Sequence, residues 1–93
     1  MVIGVLHVEF SLPSSRSLKD KRRLVKSLVD RLHNQFHVAA AEVDHQDSVR
    51  RVALAVACVS TGARHAHQVL SRAVALIERE TEMVMMDYQV EMR

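Results

Sequence analysis

Val2-Ile-Gly-Val-Leu-His-Val-Glu-Phe-Ser-Leu-Pro-Ser-Ser-Arg-Ser-Leu-Lys-Asp-Lys-Arg-Arg23 changes its hydrophobic period partway along, and that change decides the architecture. From Val2 to Leu12 the period is two. Leu6, Val8, Phe10 and Leu12 share one face, while His7, Glu9 and Ser11 share the other, the pattern of a half-buried β-strand. Pro13 removes a backbone donor and ends the strand. Ser17 is a good helix N-cap, and Asp20 stands three residues on, where a capping box carries Glu. A helix is expected from about Leu18 to Gln35, because Leu18, Leu24, Val25, Leu28, Val29, Leu32 and Phe36 fall within one arc at about 100° per residue.

The same two periods recur downstream. His37 to Asp44 and Arg50 to Ser60 read as two further strands, joined through the short polar segment Asp44-His-Gln-Asp-Ser48 as a hairpin connection. Val52, Leu54, Val56 and Cys58 make one face of the third strand and Ala53, Ala55 and Ala57 the other. A second helix is expected from about Ala63 to Thr81, with Ala66, Val69, Leu70, Ala73, Val74, Leu76 and Ile77 inward. In the last segment Val84, Met86, Tyr88, Val90 and Met92 alternate with Met85, Asp87, Gln89 and Glu91. The order is βαββαβ with short links. Right-handed crossovers then predict an α+β, ferredoxin-like plait: a four-stranded antiparallel sheet with two helices on one face. Residues 1–93 are expected to form one such domain. The open face is predicted to carry His7, Glu9, Asp87, Gln89 and Glu91 beside Ala53, Ala55 and Ala57.

Composition bounds the function classes. At 93 residues, with 48% hydrophobic and 26% charged side chains, the chain can bury a modest core. Phe10, Phe36 and Tyr88 are its only aromatics, so that core is aliphatic. A single cysteine, Cys58, excludes an intrachain disulfide or a thiol-based metal site, and a reduced, cytoplasmic protein is expected. The apolar N-terminus has no basic leader and is interrupted by His7 and Glu9, so it is not read as a signal peptide. The longest uncharged run, Val52 to Ala63, is too short to span a bilayer, and no membrane association is expected.

Charge is uneven. Residues 16–31 hold seven basic and two acidic side chains, and the remainder holds six basic and nine acidic. Lys19, Lys21, Arg22 and Arg23 crowd the first two turns of the first helix, with Arg16 ahead and only Asp20 between them. Cations there oppose the positive end of the helix dipole, and a local rule broken without compensation marks a functional position. An anion supplied by a partner is the natural compensation. The free N–H groups of a helix start suit phosphate. Arg16, Lys19, Arg22, Arg23 and Lys26 are therefore candidate phosphate or nucleic-acid contacts, and Ser14, Ser15 and Ser17 a candidate anion loop. About four neutralised phosphates would give log K a slope near −3 to −4 against log salt. Lys21 points toward the apolar arc, and its stem is expected to snorkel over the sheet edge.

Other chemistries find little support. His65 and His67 lie two apart, roughly 200° around a helix, and do not chelate from one face. Asp44, His45 and Asp47 read as an ordinary hairpin tip. His7 and Glu9 lack a third group for nucleophilic catalysis. No Gly-rich phosphate loop, G-x-S-x-G or H-E-x-x-H occurs. The Gly-rich Arg loop of plait-shaped acylphosphatases and the paired cysteines of metal chaperones are also missing. No catalytic residue, metal or cofactor is expected. The open face lacks the aromatic ladder on which RNA-recognition domains stack bases. Its small residues instead invite self-association, and a homo-oligomer, a dimer first of all, is expected.

Ile3-Gly-Val-Leu-His-Val-Glu-Phe10, Ser17-Leu-Lys-Asp-Lys-Arg-Arg23 followed by Val25-Lys-Ser-Leu28, Ala41-Glu-Val43, His45-Gln-Asp47 and Val59-Ser60 resemble the YlxP-like bacterial family, domain of unknown function 503. The resemblance covers nearly the whole chain, and the Ser-Leu-Lys-x-Lys-Arg block is its distinctive part. It implies a ferredoxin-like fold and supplies no activity. Ser17, Leu18, Lys19, Lys21, Arg22, His45, Gln46 and Asp47 match the family pattern without an assigned role. Members of that family are often encoded near translation-initiation and ribosome-maturation factors, which implies RNA or a ribosomal subunit as partner. Residues and resemblance together lead to the expectation of a non-enzymatic RNA- or ribosome-associated domain working through its first helix. The rival from another class is a homo-oligomeric interaction module whose basic helix meets an acidic protein. A small-anion binder at Ser14–Ser17 is the third.

Overall fold

The two periods become six elements in a computed structural model, which describes residues 1–93: β1 (Val2–Ser11), α1 (Leu18–Phe36), β2 (Ala39–Asp44), β3 (Arg51–Ser60), α2 (Ala63–Arg79) and β4 (Val84–Met92). The strands lie in the order β2-β3-β1-β4, every neighbour antiparallel. Both helices cover one face of this open sheet, as in a ferredoxin-like α+β plait. No helix is long and apolar enough to cross a membrane.

Strand alternation builds the core. Leu6, Val8 and Phe10 of β1 stand opposite Val56, Leu54 and Val52 of β3, and all six are buried. Helix α2 buries the seven inward residues expected from its period. Helix α1 buries Leu24, Val25, Leu28 and Leu32, and Val29 and Phe36 pack against the same core. Gly4 of β1 faces Ala66 and Leu70 of α2. A β-carbon there would meet Leu70 Cδ1 at 3.0 Å and the Ala66 methyl at 3.2 Å.

Element ends differ from the expected ones by local backbone geometry. β2 starts at Ala39, not His37, because His37 takes the left-handed conformation (φ 55°) and its N–H bonds the His33 carbonyl, closing α1. α2 stops at Arg79 rather than Thr81, since Glu80 turns extended. β1 ends at Ser11, one residue early, although Leu12 still donates its N–H to the Arg50 carbonyl.

Strict alternation fails at two bulges. Glu9 stands opposite Asp87, but Phe10 stands opposite Met85, so Met86 is an extra residue in β4. Beyond it the faces invert: Met85 packs on the core, and Val84, opposite Ser11, is exposed. In β2, Val43 is extra between Glu42 and Asp44. The open face carries the predicted polar residues and also Ala39 and Ala41, which lie opposite Ala57 and Ala55.

Candidate nucleic-acid interface

The start of α1 is built by short-range hydrogen bonds. Ser17 is extended, and its Oγ accepts the Asp20 N–H at 3.0 Å. The Asp20 carboxylate accepts in turn from the Arg16 N–H at 3.3 Å. This is a capping box displaced by one residue. Ser15 is buried and donates its hydroxyl to the Ser17 carbonyl at 3.3 Å. Of the three candidate anion-loop hydroxyls, Ser15 donates within the turn, whereas Ser14 and Ser17 are exposed and the Ser17 oxygen, acting as the helix cap, keeps its own O–H unused.

Lys21 does not snorkel. It is 1% exposed. Its ammonium lies 2.6 Å from the His45 carbonyl, 2.7 Å from the Ser48 carbonyl and 2.7 Å from Glu42 Oε2. The two carbonyls accept its hydrogen bonds, and Glu42 is its ion-pair partner. The lysine turns inward because Glu42, opposite Leu54, lies on the helix-covered side of the sheet. A surface route would leave that carboxylate without its cation.

The remaining cations of the helix separate into two groups. Lys26 pairs with Asp30 at 3.0 Å, and Arg31 pairs with Glu80 of the α2 C-cap. Arg16, Lys19, Arg22 and Arg23 are exposed and make no ion pair. Lys19, Arg22 and Arg23 stand at i, i+3 and i+4, neighbours on one helix face. Lys26 continues the row, but its charge is matched.

Sequence reasoning missed Arg50. Its Nε donates to the Ser15 carbonyl at 3.0 Å, which places this exposed guanidinium beside the start of α1. Thirty-five residues separate the two, and no local signal marks the pair.

The His45-Gln-Asp47 turn is a structural joint. His45 has φ 58°, and its carbonyl accepts from both Lys21 and the Ser48 N–H. Its N–H bonds the Asp44 carboxylate at 2.7 Å. Its imidazole lies on the other side, 4.0 Å from Glu9, which also pairs with Arg51 at 3.1 Å. Gln46 and Asp47 are exposed at the tip.

The open face has two halves. One is a shallow depression of about 320 Å³ lined by His7, Glu9, Asp44, Asp87 and Gln89 over Ala53. His7 lies 3.7 Å from Glu91 at its side. No three histidine, cysteine or carboxylate side chains are grouped to hold a metal ion. The other half is uncharged and floored by Ala39, Ala41, Ala55 and Ala57.

The family described as "Protein of unknown function (DUF503)" matches residues 3–90. The chain is 31% identical over 77 residues to the uncharacterized protein YlxP of Bacillus subtilis (strain 168), covering 83% of this chain and 84% of that protein.

Proposed function

We propose, for a chain that belongs to the DUF503 family of proteins of unknown function, a cytoplasmic, non-enzymatic domain that binds RNA or a ribosomal subunit through the start of α1. One observation carries the reading. Arg16, Lys19, Arg22 and Arg23 stay exposed and unpaired while every other cation of the helix finds a partner within the fold. Like charges at this spacing repel and oppose the helix dipole. A polyanion relieves both costs, and Arg50 adds a fifth positive group from the connection ahead of β3.

Co-sedimentation with ribosomal subunits and structured RNA across a salt series tests this, comparing the parent with Lys19→Glu/Arg22→Glu/Arg23→Glu. The expected result is binding that weakens steeply with salt, at a slope near −3 to −4 for about four phosphates, and that the variant loses. Binding absent at low salt, or unchanged by the variant, overturns the reading.

The uncharged half of the open face favours a second reading, a homo-oligomeric interaction module with an acidic protein partner for the basic helix. Val59 is 68% exposed beside Ala39 and Ala57. A dimer by sedimentation velocity that Ala57→Glu converts to monomer supports it; a monomeric parent at high concentration removes it.

A further inference from the structure

Resting on the RNA reading, we infer that the ligand of the α1 surface is double-helical RNA held by its phosphate backbone, not an unpaired strand. Unpaired strands are bound in grooves lined by aromatic side chains on which bases stack. The basic surface offers neither. Phe10 is fully buried, and Phe36 packs against the core. Tyr88, the one exposed aromatic, lies on β4 at the far edge of the sheet from β2, on which α1 packs. None of the four depressions of the surface is lined by Arg16, Lys19, Arg22 or Arg23. The cations stand on a convex helix.

That shape suits a rigid duplex. Neighbours at i, i+3 and i+4 lie about 5–6 Å apart, a row of point contacts that needs no base to leave its stack. A-form helices are recognised in this way, by shape and by phosphate and 2′-hydroxyl contacts. Arg50, tied to the Ser15 carbonyl, widens the row beyond a single helix edge. The open sheet, where a plait would hold single strands, presents Glu9, Asp44, Asp87 and Glu91 instead and repels a second phosphate run.

The test is fluorescence anisotropy of labelled RNAs with the full chain. An RNA hairpin with a stem of about 16 base pairs is compared with a U-rich single strand of equal phosphate number. Each is titrated at about 50 and 200 mM salt with the parent and with Lys19→Glu/Arg22→Glu/Arg23→Glu. The expected result is duplex binding at least about tenfold tighter than single-strand binding, lost in the variant, with the steeper salt slope of a duplex. Equal or tighter binding of the single strand, abolished by the same variant, overturns the duplex inference and leaves the RNA reading standing. Binding to neither RNA at the lower salt, or binding that ignores the variant, overturns both.

Discussion

The Lys21 ammonium lies 2.6 Å from the carbonyl oxygen of His45, 24 residues away, and this contact joins the two most distinctive stretches of the chain. One is the Ser-Leu-Lys-x-Lys-Arg block that opens α1, and the other is the turn between β2 and β3. The Ser48 carbonyl accepts a second hydrogen bond from the ammonium, and Glu42 is its ion-pair partner. The joint fixes the hairpin against the helix start, and Arg50 reaches Ser15 from the same hairpin. Lys21 therefore serves the fold, while Lys19 and Arg22 on either side of it face solvent.

Lys21→Met leaves the Glu42 carboxylate without its cation and the Ser48 carbonyl without its donor, while the His45 carbonyl keeps the Ser48 N–H. It is expected to cost about 2–4 kcal/mol, because breaking a buried pair strands its partner, and urea unfolding measures it. Lys21→Arg also destabilises, since a planar fork does not reproduce three radiating donors. Adding Glu42→Gln to Lys21→Met restores part of the loss. A Lys21→Met protein as stable as the parent would show that the joint is not formed.

Lys19→Glu moves stability and binding in opposite directions. Position 19 lies in the first helical turn, where an acid gains about 0.3–1 kcal/mol from the dipole. It also gains attraction to Arg22 and Arg23 in place of repulsion. The midpoint of thermal unfolding rises by a few degrees, at about 4–8 °C per kcal/mol for a domain of this size, while RNA affinity falls. A variant that loses both would mark Lys19 as structural.

His45 holds a left-handed backbone (φ 58°), which glycine adopts without strain and β-branched residues adopt poorly. Both His45→Gly and His45→Val keep the carbonyl that Lys21 uses. Glycine is expected to be neutral or stabilising, and valine to cost about 1–3 kcal/mol. Chemical denaturation of the pair gives the sign; equal losses in both would assign the stability to the imidazole and its Glu9 contact.

Gly4→Val drives a branched side chain into Leu70 and Ala66, already 3.0 and 3.2 Å from a bare β-carbon. Both neighbours are fully buried and have little room to move. Overpacking of this kind costs about 1–3 kcal/mol, read as a lower urea midpoint with an unchanged slope. An unaltered midpoint would mean that α2 shifts freely on β1.

The sequence by itself determined the elements and their inward faces. Period two in Leu6, Val8 and Phe10 and period 3.6 in Val69, Leu70, Ala73, Val74 and Ile77 are local properties, and the buried residues follow them. The Ser17 cap and the exposed row of Lys19, Arg22 and Arg23 were legible for the same reason, because each depends on spacings of three or four. Tertiary structure alone decided that Lys21 is buried, that Arg50 joins the basic surface, and that Met86 and Val43 are bulged. Bulges are an offset between two strands, invisible within either one. Lys21 and Arg50 find acceptors 24 to 35 residues away, in a geometry that exists only once the sheet has set its register. Side-chain period belongs to a segment, whereas the partner of a charge belongs to the whole fold.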